Sequence, residues 1–420
     1  MANTQYASMK HSGPQSLTGL LSASLIGALL IISVPALADT EADNMKGMNR
    51  RLDSLEKELS QITSGMDRHE VSGDGILLHG FMDIGFALNS QGDRVANPQG
   101  FYVGKMSFYL SPHFGDNVKG LAEPNFEVDS DGTLSTDMER LQLGYTFSDA
   151  ATVWGGRFHT PYGYWNTAFH HGAQMQTAVS RPRFLDFEDK GGILPAHTTG
   201  VWGTGKFKTG RGRLTYDAFV GNGPKIGGGN LSLPSPKLGT LNPNMAGDND
   251  HSAMAGLNVG YEFSGSMNGL RLAGHAVSGE ADTFTNIPQL ETGLNMFGGS
   301  AIYITNEWEV MSEYYRFDNK DKSGTTGTHK SWAGYLQAGR NFNDLTPFFR
   351  LERAALNQQD NYFRLQASGQ SYSRQTLGLR YNVNQNTSLK IELQNSEFMA
   401  DAMRAALGYL SLQLQYAIGF

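Results

Sequence analysis

The sequence predicts an all-β fold: a transmembrane, antiparallel, up-and-down β-barrel of about sixteen strands, preceded by a short coiled-coil helix. Three observations predict it. The last stretch alternates strictly, with Leu410, Leu412, Leu414, Tyr416, Ile418 and Phe420 apolar, and Ser411, Gln413, Gln415, Ala417 and Gly419 polar or small. A period of two puts one set on each face of a strand, and a greasy face opposite a small polar face suits a wall between lipid and water. Segments of this kind recur from Gly75 onward, joined by connections that alternate between short and long. Within them the charged residues fall out of phase with the apolar ones.

Composition agrees. The chain has 420 residues, 39% of them apolar, and a mean hydropathy of −0.37. Beyond the first 38 residues there is no apolar run able to cross a bilayer as a helix. A closed barrel is the other structure that can span, because it satisfies every backbone group within the sheet. The 51 glycines and 11% aromatic residues suit crowded walls and interfacial girdles. With no cysteine, disulfides, thiolate metal sites and a cysteine-linked lipid anchor are excluded. The net charge of −7 gives no pointer to a nucleic-acid partner. No cofactor is expected.

Residues 1–38 read as an export signal. Lys10 supplies a weakly positive start, Leu17 to Val34 an apolar stretch, and Ala36-Leu37-Ala38 the small residues of a cleavage site ahead of Asp39. Residues 39–70 carry a different period. Met45, Met48, Leu52, Leu55, Leu59, Ile62 and Met66 recur at spacings of three and four, an unbroken heptad seam with Arg50, Arg51, Glu56, Lys57 and Glu58 around it. So short a seam is marginal alone, so a self-associating coil forms here only where something else gathers the chains. The other reading is a single amphipathic helix lying on the barrel or plugging it. Leucine at both seam positions leaves two strands against three open.

Residues 71–420 form the barrel. Alternation and turn residues place strands near 75–88, 101–114, 118–129, 139–148, 151–158, 197–208, 212–221, 251–264, 268–279, 293–306, 307–318, 329–342, 344–356, 372–383, 386–397 and 408–420. The count is even, as a barrel with both chain ends on one side requires. Short connections at Ser148-Asp149, Lys208 to Gly212, Gly265 to Gly269, Asn341 to Asp344 and Val383 to Asn386 alternate with long ones. Tight turns therefore gather at one end and long loops at the other. The third long connection, 159–196, is the longest.

Phase assigns side chains to faces. Arg140 and Gln142 oppose Leu141, Leu143, Tyr145 and Phe147; Arg213 and Asp217 oppose Leu214 and Tyr216; Glu262 opposes Val259, Tyr261 and Phe263. The pore-lining set expected is Arg140, Arg157, Arg213, Asp217, Glu262, Arg271, Glu309, Arg350, Glu352, Arg374, Arg380 and Lys390; the same phase turns Gln142, Asn258, His275, Glu307 and Glu392 inward. A basic residue on the lipid side would cost about 2–4 kcal/mol at mid-membrane, so the consistent phase implies a polar, wet lumen. The two signs leave two roles open, ion selectivity and bridging between neighbouring strands. Trp154, Trp202, Trp308 and Trp332 fall towards strand ends and read as girdle residues.

The third loop holds Tyr162, Tyr164, Trp165, Arg181, Arg183, Asp186, Glu188 and Asp189. If it lies in the lumen, Arg181 and Arg183 face its acidic run across the constriction. The three rings either offer stacking surfaces to sugars or pin the loop to the wall, and pinning is favoured. His159, His170 and His171 are weak metal ligands: adjacent histidines point apart, and no carboxylate sits beside them at ligand spacing. No metal is expected.

The signal segment, strand number, third-loop length and final Phe together resemble the trimeric diffusion porins of Gram-negative outer membranes. In that family the third loop folds into the lumen. A final aromatic residue, with apolar residues two and four before it (here Ile418 and Tyr416 ahead of Phe420), is read by the barrel-assembly machinery. The heptad segment narrows the resemblance to porins with an N-terminal periplasmic coiled coil, the DcaP-like and sucrose porins, and more loosely the phosphate-selective O/P group. The resemblance implies an outer-membrane homotrimer in contact with lipid, its coil in the periplasm, passing small hydrophilic solutes (ions, with anions or sugars as candidates) passively through water. An envelope tether is the alternative. A barrel enzyme is disfavoured, because His79, His113, His197, His251, His275 and His329 are scattered with no nucleophile motif beside them. The solute does not come with the resemblance.

Overall fold

A computed structural model describes residues 76–420 apart from 93–98, 129–131, 170–171, 232–236, 243–252 and 284–289. The expected export signal and the heptad residues Met45 to Met66 lie outside the described residues, as do His170 and His171.

Sixteen antiparallel strands close into a barrel. They are β1 (Ile76–Asn89), β2 (Gly100–Phe114), β3 (Val118–Val128), β4 (Leu134–Ser148), β5 (Ala151–His159), β6 (His197–Thr209) and β7 (Gly212–Asn222). After a small hairpin of β8 (Lys225–Gly227) and β9 (Thr240–Asn242) come β10 (Ala253–Phe263), β11 (Leu270–Thr283), β12 (Leu290–Ile304), β13 (Trp308–Asp321) and β14 (Gly327–Arg340). The wall ends with β15 (Leu345–Ala355), β16 (Tyr372–Asn384), β17 (Thr387–Phe398) and β18 (Leu407–Gly419). The β8–β9 hairpin is an insertion in a long loop, and the wall passes directly from β7 to β10 through pairs such as Arg213↔Glu262. Three-residue strands are too short to show alternation, so this hairpin left no signal in the sequence.

The alternation sorts the faces. Leu141 and Leu143 are 57% and 64% exposed on the outer surface, while Arg140 and Gln142 between them are 5% and 4% exposed inside. Water would penalise such an outer face; lipid does not. Tight turns at 115–117, 149–150, 210–211, 264–269, 305–307, 341–344 and 385–386 share one end with Ile76 and Phe420, and the long loops share the other. Gly265 (φ 71°) and Asn343 (φ 55°) supply the left-handed backbone that two of these turns need.

Closure joins β1 to β18 from Phe81↔Gly419 to Asn89↔Ser411. It continues one residue further: the Gly80 N–H donates to the Phe420 carbonyl (2.8 Å), and the Phe420 N–H returns to Gly80 (2.9 Å). The Phe420 ring lies over Gly80, where a Cβ would come within 2.3 Å of it. The glycine forms the seat of that ring.

Three expectations about faces are corrected. Trp154 and Trp202 are not girdle residues; they stack inside the barrel (centroids 6.2 Å apart), and the Trp202 indole donates to Asp217 at 3.2 Å. The room comes from Gly144, across from Trp154, where a Cβ would fall 2.4 Å from the indole ring. Trp308 and Trp332 do face outward, near opposite ends of the wall. Arg157 has the outer phase: it pairs with Leu141 and Thr199, both exposed. Its guanidinium folds back along the wall to the Glu139 carbonyl at 2.9 Å.

The lumen is also less uniformly polar than the charge phase implied. Met254, Val277, Leu294, Met296, Ile302, Met311 and Phe317 on β10–β13 form one buried cluster with Tyr162, Trp165, Phe184, Leu185, Ile193 and Leu194 of the third loop. The barrel therefore has an apolar core inside it, made when the loop folds in.

Candidate functional site

The third loop, 160–196, crosses the interior and is held by inward-facing side chains of the far wall. Its first part turns at Trp165–Ala168, a single helical turn. Glu313 of β13 accepts the Tyr164 and Trp165 N–H groups at 2.7 and 2.8 Å, and the Tyr315 and Tyr335 hydroxyls, both at 2.8 Å. Four donors around one buried carboxylate replace the water it gave up. Next, Glu309 accepts from Thr177 at 2.7 Å, and Glu392 accepts from the N–H of Val179 (2.9 Å) and from the Ser180 hydroxyl. Arg350, fully buried, donates to the Ser180 carbonyl (2.9 Å) and hydroxyl (2.7 Å), and to Glu352 at 2.8 Å. Glu352 in turn accepts the Arg183 N–H at 2.8 Å. Arg380 donates to the Gln176 carbonyl at 2.7 Å, and Lys390 to the Ala173 and Ala178 carbonyls.

The return limb crosses to the near wall. The Tyr362 hydroxyl from the loop between β15 and β16 donates to the Ile193 carbonyl at 2.8 Å. Lys190 pairs with Glu127 of β3. His197, at the base of the loop, lies between Glu188 and Glu139, its two ring nitrogens each 3.0 Å from a carboxylate oxygen. Loop and wall are thus joined by charge-assisted hydrogen bonds at both ends and in the middle.

Several of the expected constriction residues are fastenings of the loop. Tyr162, Tyr164 and Trp165 are buried, which supports pinning over an exposed stacking surface. Burial pushes the Tyr162 and Tyr164 hydroxyls well above their ordinary range and lowers Arg181. The Arg181 guanidinium does not face the acidic run across water. It donates to the Leu185 and Phe169 carbonyls, both at 2.8 Å, and lies 4.0 Å from the Phe187 ring centre. The Arg183 guanidinium lies 4.8 Å from the Phe398 ring centre. Asp186 accepts from the Phe187 N–H at 3.2 Å. The Asp189 side chain lies outside the described residues.

Of the expected pore-lining set, Arg350, Glu352, Arg374, Arg380, Lys390 and Glu309 have the inward phase but lie buried beneath or beside the loop. Arg140 is paired with buried Glu123. A second group remains open to water. Arg213 (46% exposed), Glu262 (25%) and Arg271 (18%) share one cross-strand row near the turn end, with Lys208 beside Arg213. Asp217 lies one inward position further along β7 than Thr215, hydrogen-bonded by Asn258 at 3.2 Å. Sequence reasoning missed Glu313, the anchor that holds the first bend of the loop. Its signal was present: it shares phase with Glu309 on β13.

The sequence matches no protein-family model, and no curated protein matches it. Among solved structures it is similar to an anion-selective porin from Comamonas acidovorans (12% identity, covering 83% of this chain and 100% of that one, TM-score 0.53). It is similar also to the outer-membrane channel DcaP of Acinetobacter baumannii (12%, 84% and 99%, TM-score 0.50). A third similar structure is the outer-membrane protein OmpT of Vibrio cholerae in a trimer form (11%, 83% and 100%, TM-score 0.50). The fold is the sixteen-stranded barrel of the porins. At these identities the likeness carries the architecture; the function is argued from the interior.

Proposed function

We propose that the protein is an outer-membrane porin: a passive, non-catalytic, water-filled channel for small hydrophilic solutes, narrowed by its third loop. The observation that carries this is the row Lys208, Arg213, Glu262 and Arg271, charged side chains on the inner phase of a wall whose outer phase is apolar. Charges kept wet inside a greasy cylinder have a use where ions or polar solutes pass. Three cations to one carboxylate favour anions there. The buried arginines and glutamates on the far side position the loop instead of meeting the solute.

In this reading the tight turns face the periplasm and the long loops face outward, which is the usual asymmetry of such barrels. The heptad residues Met45 to Met66 form a periplasmic coil that joins three copies, and Tyr416, Ile418 and Phe420 present the assembly signal. Purified protein in planar bilayers, with a salt gradient across the membrane, tests the channel. Ohmic conductance with a reversal potential displaced towards the anion is the expected result; no conductance above the bare bilayer overturns the reading.

A further inference from the structure

The outer wall at the loop end of β13–β15 departs from the belt around it. Below that level the outward residues are apolar or small: Val310, Ser312 and Tyr314 on β13, Leu336 and Gly334 on β14, Phe349 and Leu351 on β15. Above it three exposed cations follow, Arg316, Lys320 and Lys330, with Asp318 directly across from Lys330, while exposed Arg353 stands at the boundary, in the row of Tyr314 and Gly334. Asp318 pairs with Arg316 at 3.0 Å. On the next two strands, β12 and β11, Asn295 and Ser278 pair on the outer face, and one outer position nearer the loops Lys320 is followed across the strands by Gly293 and Glu280, whose carboxylate pairs with Lys322.

Directly beneath the cations the wall is indented. Tyr314, Gly334 and Arg353 share one row, and Gly334 has no side chain to fill it. The result is a shallow groove of about 420 Å³ whose lining includes Tyr314, Trp332, Gly334, Leu351 and Arg353, together with Ser312, Ser373 and Gln375. Tyr314 and Trp332 stack along one side (centroids 6.1 Å apart), and the Arg353 guanidinium lies 5.8 Å from the Trp332 ring centre. Along β14 the outward positions thus pass from Leu336 and Gly334 to Trp332 and then Lys330, from the belt towards the loops, with Arg353 flanking Gly334 on β15.

We infer that this groove is a specific site for a phosphate-bearing acyl lipid of the outer leaflet. An acyl chain lies over Gly334 between Tyr314, Trp332 and Leu351. Its phosphate meets Arg353, with Lys330 and Arg316 beside it. The order of features matches the order of parts in such a lipid, and cations near a membrane surface each favour anionic headgroups. Aromatic rings at the boundary suit the junction between chain and headgroup. The inference rests on the barrel's being embedded in the membrane, but not on which solute it passes.

Native mass spectrometry of the detergent-solubilised protein tests it, with a diphosphorylated glucosamine-based lipid as the probe and its dephosphorylated form as the comparison. Wild type should retain the phosphorylated lipid and not the other. The double variant Arg353→Glu/Lys330→Glu should lose occupancy roughly tenfold or more, the loss expected for two surface cations, and Arg353→Gln/Lys330→Gln should lose less. Arg340→Glu, on the outer wall at the turn end, should retain it. Bilayer conductance of the double variant should equal wild type, which separates failure of the lipid site from failure of the channel. Equal retention of both lipids by wild type overturns the inference without any variant. So does equal loss in Arg340→Glu, full displacement by inorganic phosphate (a free-anion site), or a changed oligomer mass in the double variant (a subunit contact).

Discussion

Glu313 and Trp165, separated by 148 positions in the chain, meet inside the barrel, where the carboxylate accepts the Trp165 N–H at 2.8 Å. With the Tyr164 N–H at 2.7 Å it fixes the first bend of the third loop against the far wall. Glu313→Ala removes the acceptor and leaves two N–H groups and two tyrosine hydroxyls without it, each a cost of about 1–3 kcal/mol. The loop should loosen while the wall persists. Proteolysis should then cut first within 160–196, and single-channel currents should become noisier than wild type. Glu313→Gln, which keeps the shape, should fall between the two.

Arg350 ties Ser180 and Glu352 together with no exposure to water. Arg350→Ala strands Glu352 as a buried charge, which typically costs about 3–5 kcal/mol. Arg316→Ala, at an exposed ion pair on the outer wall, should cost about 1 kcal/mol or less. Thermal unfolding in detergent should therefore separate the two clearly. Similar midpoints would show that Arg350 does not anchor the loop.

The Arg213–Glu262–Arg271 row should set ion preference. Removing both arginines leaves Lys208 as the one cation in the row against Glu262 and should move the reversal potential towards cations. Glu262→Gln should move it further towards anions. Arg374→Gln, at a buried residue whose guanidinium donates to Ser396 at 2.9 Å, should move it less than either.

The loop between β15 and β16 has its own pH response. Asp360 caps the turn at Asn361–Arg364 by accepting the Tyr362 N–H at 3.0 Å, and Asn319 donates to its other oxygen at 2.9 Å. Burial, with Asp321 nearby, pushes its carboxyl up from 3.8 to about 7. The folded loop then binds a proton that the unfolded chain has released across that window. Its stability should fall as pH rises from about 4 to 7 and level off above. Asp360→Asn keeps a capping oxygen and cannot ionise, so the slope should vanish. Limited proteolysis of this loop across the pH range, in both proteins, measures it.

The wall was legible in the sequence because lipid enforces the pattern. Leu141, Leu143, Tyr145 and Phe147 leave no second reading of β4, and the final strand is as clear. The inner face carries no such rule. Trp154 points inward because Gly144 lies opposite, and Arg157 turns outward in phase; neither follows from the composition of β5 alone. The seat of the third loop was the least legible part. Length and aromatic content announced a loop that is pinned somewhere, but its anchors (Glu313, Arg350, Glu392) lie on strands far away in the chain. Phase alone marked Arg350 and Glu392 as wall charges and could not tell a solute contact from a fastening, and Glu313 was missed although it shares the phase of Glu309. The row at Arg213 and the buried group at Arg350 looked the same until the loop was in place.

The most direct test is the single-channel conductance of wild type beside a variant in which residues 164–192 are replaced by a short Gly/Ser linker. A hydrated barrel narrowed by its third loop predicts discrete ohmic steps in wild type and larger steps in the variant. No steps from either protein, or steps of equal size, would contradict it.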